Sequence, residues 1–136
     1  MKIGLITDIH ANSSQERLVQ IKNTLDYCAS VFEARGVKTV INLGDWNDTS
    51  LLSSYNEFLA LSHYVRTFKK FNNYFLLGNH DIMSSSDLSY SIWDVVKSMD
   101  NPRFEIVDKY QSLLLGKWKV GLLPYSEDRD LKQLHS

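Results

Sequence analysis

Apolar and polar residues alternate along this chain in two rhythms. Short apolar-rich runs at residues 2–7, 37–43 and 74–77 read as strands. Between them, apolar positions recur at steps of three and four. Leu18, Ile21, Leu25, Cys28 and Phe32 predict a helix over about residues 15–35 with one buried face. Gly36 follows it as the expected helix stop, because glycine accepts a left-handed backbone. Leu52, Tyr55, Phe58, Leu59, Val65 and Phe68 predict a second helix over about residues 51–71. Arg66, Lys69 and Lys70 near its end suit the negative pole of the helix dipole. Leu88, Ile92, Val95 and Met99 predict a third helix over about residues 87–99, closed by Asn101-Pro102. Residues 104–108, 112–115 and 119–123 read as further strands, with Gly116-Lys117 as a tight turn between the last two. Three strand–helix alternations followed by a hairpin indicate an α/β domain: a mostly parallel sheet with covering helices, then a β-hairpin.

The polar segments between elements carry the chemistry. Asp8-Ile9-His10 follows the first strand, Gly44-Asp45 the second, and Gly78-Asn79-His80-Asp81 the third. In open α/β sheets, sites gather at the carboxyl ends of strands, so these three turns should converge on one edge. Each alone has a plain reading as a turn or a helix N-cap. The ordered set, each member after its own strand, points to a metal site. Carboxylate and amide oxygens with imidazole suit manganese, iron or zinc rather than a thiolate-selected metal. Two carboxylates about 5 Å apart repel by roughly 3 kcal/mol at an effective dielectric near 20, so Asp8 and Asp45 would be costly neighbours without a cation. An imidazole oriented by a carboxylate is a good proton donor to a leaving alkoxide, which singles out His80 with Asp81.

Composition narrows the class without choosing a reaction. A chain of 136 residues suits one domain, and 43% hydrophobic with 23% charged residues excludes a disordered or collagenous chain. The net charge of −1 leaves no global basic footprint for nucleic acid. Cys28 is the single cysteine, so no internal disulfide forms and a reducing, cytoplasmic setting is expected. No apolar run reaches the roughly 18 residues of a membrane span, so no membrane partner is expected.

With these motifs in hand, the sequence resembles the calcineurin-like metallophosphoesterases: Asp8-Ile9-His10, Gly44-Asp45 and Gly78-Asn79-His80-Asp81 look like that superfamily's first three motifs. Residues 101–108, the hairpin, and Val120-Gly121-Leu122-Leu123-Pro124-Tyr125 look like the SbcD-type repair nucleases, and most like their phage versions, the recombination endonuclease subunits. The resemblance implies an αββα sandwich, of which residues 1–136 are expected to be a single partial domain, the N-terminal portion. It implies two divalent ions, manganese first, with iron, zinc or magnesium as alternatives. Asp8 and His10 would bind the first, Asp45 would bridge both, and Asn79 would bind the second. His80 would contact the scissile phosphate or protonate the leaving group, supported by Asp81. Asp48 matches a second acid of the Gly-Asp motif and is not counted as a ligand. The implied function is metal-dependent phosphoester hydrolysis, by a DNA nuclease or the N-terminal piece of one. The implied partners are DNA or another phosphoester, a second copy of the chain, a complementing C-terminal chain, and a coiled-coil ATPase. The setting would be host cytoplasm if the chain is phage-encoded.

The sequence departs from the pattern in two places. Ala11-Asn12 stands where SbcD-type proteins usually have a glycine two residues after the histidine, and Asp-Ile-His-Ala-Asn also occurs in small phosphodiesterases and nucleotide phosphatases. A phosphomonoesterase or nucleotide phosphodiesterase is therefore the alternative activity. The later histidine motifs of the family are not in these residues, so the second metal site is expected to be incomplete, and the enzyme inactive without a complementing chain in one reading. The remaining alternative is a non-catalytic binding or assembly module. His63 reads as a solvent-exposed helix residue, and His135 has no motif around it. Trp46, beside Asp45, could stack on a base or pack under its loop; Trp93 reads as core, Trp118 as flanking a turn, and Cys28 as a buried small hydrophobe.

Overall fold

The computed structural model describes residues 1–48, 54–78, 81–84, 87–91, 94–98 and 100–125. Strands β1 (Ile3–Ile6), β2 (Thr39–Asn42), β3 (Asn72–Leu76) and β6 (Phe104–Val107) form a parallel sheet in the order β1-β2-β3-β6. Helix α1 (Gln15–Ala34) crosses from β1 to β2, and α2 (Tyr55–Phe68) from β2 to β3. Because the strand order advances steadily in one direction, successive right-handed crossovers put both helices on the same face. The loops after β1, β2 and β3 therefore open side by side at one edge. The register is continuous across the sheet, with Leu5 opposite Ile41 and Ile41 opposite Tyr74.

Two apolar layers hold the sheet. Leu18, Ile21, Leu25, Leu61, Tyr64 and Phe68 from the helices pack with Val40 and Phe75 on one face. Ile41, Leu76 and Val107 pack with Leu122 of the hairpin on the other. This explains why all four residues of β2 are buried. Burial of one such side chain contributes about 1.5–3 kcal/mol. The hairpin of β7 (Gln111–Leu115) and β8 (Trp118–Leu122) turns at Gly116, whose φ is 60°. It leaves Leu5 of the edge strand 62% exposed.

The helix stop at Gly36 has the expected φ of 73°, and the parallel sheet and hairpin match the sequence reading. Two elements differ. Residues 87–91 are not helical: β5 (Asp87–Ser91) pairs antiparallel with β4 (Ile82–Ser84), and of the described residues in the expected helix α3 (Asp94–Ser98) alone is helical. Pairing with β4 supplies the backbone partners of residues 87–91 in place of the helical bonds that the three–four spacing suggested. Trp93 and Met99 lie outside the described residues.

The second helix starts at Tyr55 with Ser54 as N-cap, and its inward face is Glu57, Ala60, Leu61, Tyr64, Val65 and Phe68. Tyr55 is 73% and Phe58 39% exposed, so the face is rotated from the one expected. The inward face follows the apolar series Ala60, Leu61, Tyr64, Val65 and Phe68, and Glu57 shares that face with polar partners. His63 is also corrected: it is half-buried, its Nε2 2.7 Å from Asp26 Oδ1 across the α1–α2 seam.

Candidate metal centre

The loop after β1 carries Asp8 and His10, and both have left-handed backbones, with φ of 55° and 53°. The loop after β2 carries Asp45, with φ 55°. Among the described residues four non-glycine residues have positive φ, and three of them are these. Such conformations cost about 1–2 kcal/mol each. Their confinement to two adjacent turns marks a place where the chain is bent to present side chains.

Several contacts offset that strain. The two loops continue the parallel pairing past the strand ends. Asp8 N donates to Gly44 O at 3.2 Å, Ala11 N to Trp46 O at 2.6 Å, and Asp48 N to Ala11 O at 3.0 Å. Arg17, in the first turn of α1, donates to the carbonyls of Ile9 and His10 and ties the first loop to its helix. Ser14 caps that helix by accepting from Arg17 N at 3.2 Å.

The third turn is joined to the second by Asp81. This side chain is fully buried. Its Oδ2 accepts from Asp45 N at 2.7 Å and Gly78 N at 2.8 Å, and its Oδ1 from Trp46 N at 2.8 Å. Burial pushes its carboxyl up to about 6, against the opposing pull of these three N–H groups, while the Asp45 charge adds a smaller upward push. The junction is too tight for larger residues. A Cβ on Gly44 would meet Gly78 N at 2.6 Å, and one on Gly78 would meet Asp45 N at 2.7 Å and its carboxylate closer still.

At the solvent side, His10 Nε2 lies 3.3 Å from Asp8 Oδ1 and His10 Nδ1 lies 3.1 Å from Asp48 Oδ1. Asn12 Nδ2 donates to the other Asp48 oxygen at 3.1 Å. A carboxylate on Nδ1 favours a proton there and turns the Nε2 lone pair toward Asp8. Lone pair and carboxylate facing each other are repulsive until a cation or proton lies between them. The donor chemistry of Asp8 and His10 therefore fits a divalent ion, and their side chains, 54% and 39% exposed, are open to one from solution. Among the described residues no group of three or more His, Cys, Asp or Glu is arranged to hold a metal ion. Asn79 and His80 lie outside the described residues, as does His135.

Asp8, His10 and Asp45 thus come to one edge, with Asp81 bracing the turn that leads to Asn79 and His80. The family model for calcineurin-like phosphoesterases matches residues 1–130. The chain belongs to the calcineurin-like phosphoesterase family. Its members hydrolyse phosphoesters and typically bind divalent metals, and the α/β architecture seen here is consistent with their fold. No curated protein matches the chain. No helix among the described residues is long and apolar enough to cross a membrane.

Sequence reasoning undervalued the residues that hold this phosphoesterase edge. Asp48 was visible as a second acid, yet its contact to His10 Nδ1 depends on how two loops meet. Asn42, whose Oδ1 accepts from Gly44 N at 3.0 Å, and fully buried Asn47 gave no sequence signal beyond their type. Trp46 packs under its loop: it is fully buried, with its ring 5.1 Å from Tyr64.

Proposed function

We propose that this phosphoesterase is a metal-dependent phosphodiesterase of nuclease type, acting on DNA. The observation that supports it is the pair of left-handed turns that sets Asp8 and His10 beside the Asp45 loop at the carboxyl edge. Asp8 and His10 are assigned to one divalent ion, Asp45 to both ions, and Asn79 to the second, with manganese as the preferred metal. When bound, the ions supply positive charge at the phosphoryl oxygens and lower the pKa of bound water. The chain's residues do the rest. Asp48 holds the His10 ring, Asp81 fixes the backbone of Asp45 and Gly78, and His80 is assigned to contact the phosphate and donate a proton to the leaving oxygen. A second copy, a complementing chain or a coiled-coil ATPase belongs to the same proposal as partner; exposed Leu5 on the edge strand is compatible with added chain.

The test is hydrolysis of linear DNA and of bis(p-nitrophenyl) phosphate with Mn²⁺, before and after chelation. His80→Ala should lower the rate by about 10²-fold or more with the fold intact. Hydrolysis of nucleotides or monoesters, with DNA untouched, selects the alternative substrate class. No hydrolysis with any divalent ion, with or without a partner chain, refutes the enzymatic reading.

A further inference from the structure

Glu57 lies on α2, yet it is only 4% exposed. Glutamate is almost never buried unless its charge is paired. Its position, three residues after the Ser54 N-cap, is that of a capping box, in which the glutamate normally returns to the backbone of the cap residue. Here the side chain does something else. Ser54 Oγ accepts from Glu57 N at 3.2 Å and donates to Glu57 Oε1 at 3.0 Å. Glu57 Oε2 is left to accept from Asn47 Nδ2 at 3.0 Å. Asn47 is fully buried and lies between Asp45 and Asp48. It also forms a parallel bridge with Ala11, the neighbour of His10.

We infer that Glu57 is a positioning residue for the metal centre. It acts through Asn47 to hold the loop carrying Asp45 and Asp48 in register with the loop carrying Asp8 and His10. Three features carry the inference. A buried carboxylate is retained on the helix face where an apolar residue would pack. One of its oxygens is spent on a loop rather than on the helix end. The loop it holds contains Asp45 and Asp48, and the residue it holds, Asn47, lies in the stretch that pairs with the Asp8–His10 loop at Ala11. Tyr64, two turns further along α2, packs on Trp46 of the same loop, so α2 grips it at both an apolar and a polar point.

The metal part of this inference rests on the function proposed above, so the test reads the loop and the metal separately. Backbone hydrogen exchange is measured on the chelated protein for wild type, Glu57→Ala, Glu57→Gln and Asn47→Ala. Glu57→Ala should speed exchange at Ala11, Trp46 and Asp48 by about fivefold or more, the loss expected for one hydrogen bond, with amides of α1 and β3 unchanged. Asn47→Ala, which leaves the helix cap intact, should do the same and serves if Glu57→Ala fails to fold. Glu57→Gln keeps an acceptor for Asn47 and should restore most of the protection. Mn²⁺ titration by calorimetry should then show weaker binding in both alanine variants. Unchanged loop exchange, or uniform acceleration over the whole chain, overturns the positioning role. Loop-specific exchange with wild-type Mn²⁺ affinity overturns its link to the metal. Loop-specific exchange in a protein whose wild type binds no Mn²⁺ upholds the positioning role and refutes the metal function instead.

Discussion

Replacing Gly78 by alanine adds one methyl group where the second and third turns touch. Built on the existing backbone, that Cβ lies 2.7 Å from Asp45 N and 2.9 Å from Asp45 Cγ. Carbon needs about 3.5 Å from such neighbours, so the turns must part by close to an ångström. Separation at that point pulls on the bonds from Gly78 N and Asp45 N to Asp81 Oδ2, both under 3 Å. Overpacking of this kind costs about 1–3 kcal/mol, and stretching a buried hydrogen bond adds roughly 1 kcal/mol. The alanine stiffens the unfolded chain and returns about 0.4–1 kcal/mol. The expected net loss is about 2–3 kcal/mol, read as a shift in the urea midpoint at unchanged m-value. Amide NMR shifts should move at Asp45 and Trp46 and stay fixed at α1. A stability change below about 0.5 kcal/mol with unmoved Asp45 and Trp46 amides would refute the reasoning, because it would mean the two turns are not in contact.

Other outcomes follow from the same structure. The Asp81 carboxyl, raised to about 6 in the fold, holds its proton more tightly than in the unfolded chain, where it titrates near about 3.9. Its stabilising contribution is therefore complete below about pH 4 and lost as the pH rises through about 6; in chelated protein the wild type should lose stability across that window while Asp81→Asn shows a flatter profile. Leu61→Ala should cost about 2–5 kcal/mol and Tyr55→Ala less than about 0.5, because Leu61 is buried and Tyr55 exposed; thermal melts that rank them the other way would restore the helix phase expected from spacing. Burial raises the Cys28 thiol, so alkylation near neutral pH should be slow in the fold and fast in urea.

Most of the fold was legible because it is written in local periodicity. Leu18, Ile21 and Leu25 lie on the buried face of α1 where their spacing puts them, and Val40 and Ile41 are the centre of a strand buried on both sides. Asp8, His10 and Asp45 could be named from the chain because each directly follows a strand, and parallel topology brings the ends of parallel strands together. The failures lie where tertiary contacts choose among local options. On α2 two apolar series overlap; Ala60, Leu61, Tyr64, Val65 and Phe68 face the core together with Glu57 and its polar partners, and Tyr55 faces water. Residues 87–91 had helical spacing but found a strand partner, and His63 found Asp26 on a helix 37 positions away. Sequence alone thus determined which donors exist and at which end of the sheet they emerge. Tertiary structure decided which groups hold them there: Asp81 across three backbone N–H groups, Asp48 on the His10 ring, and Glu57 through Asn47. Apart from the local Gly78–Asp81 bond, these contacts join separate segments of the chain, and a hydrogen bond between separate segments has no periodicity by which a sequence could announce it.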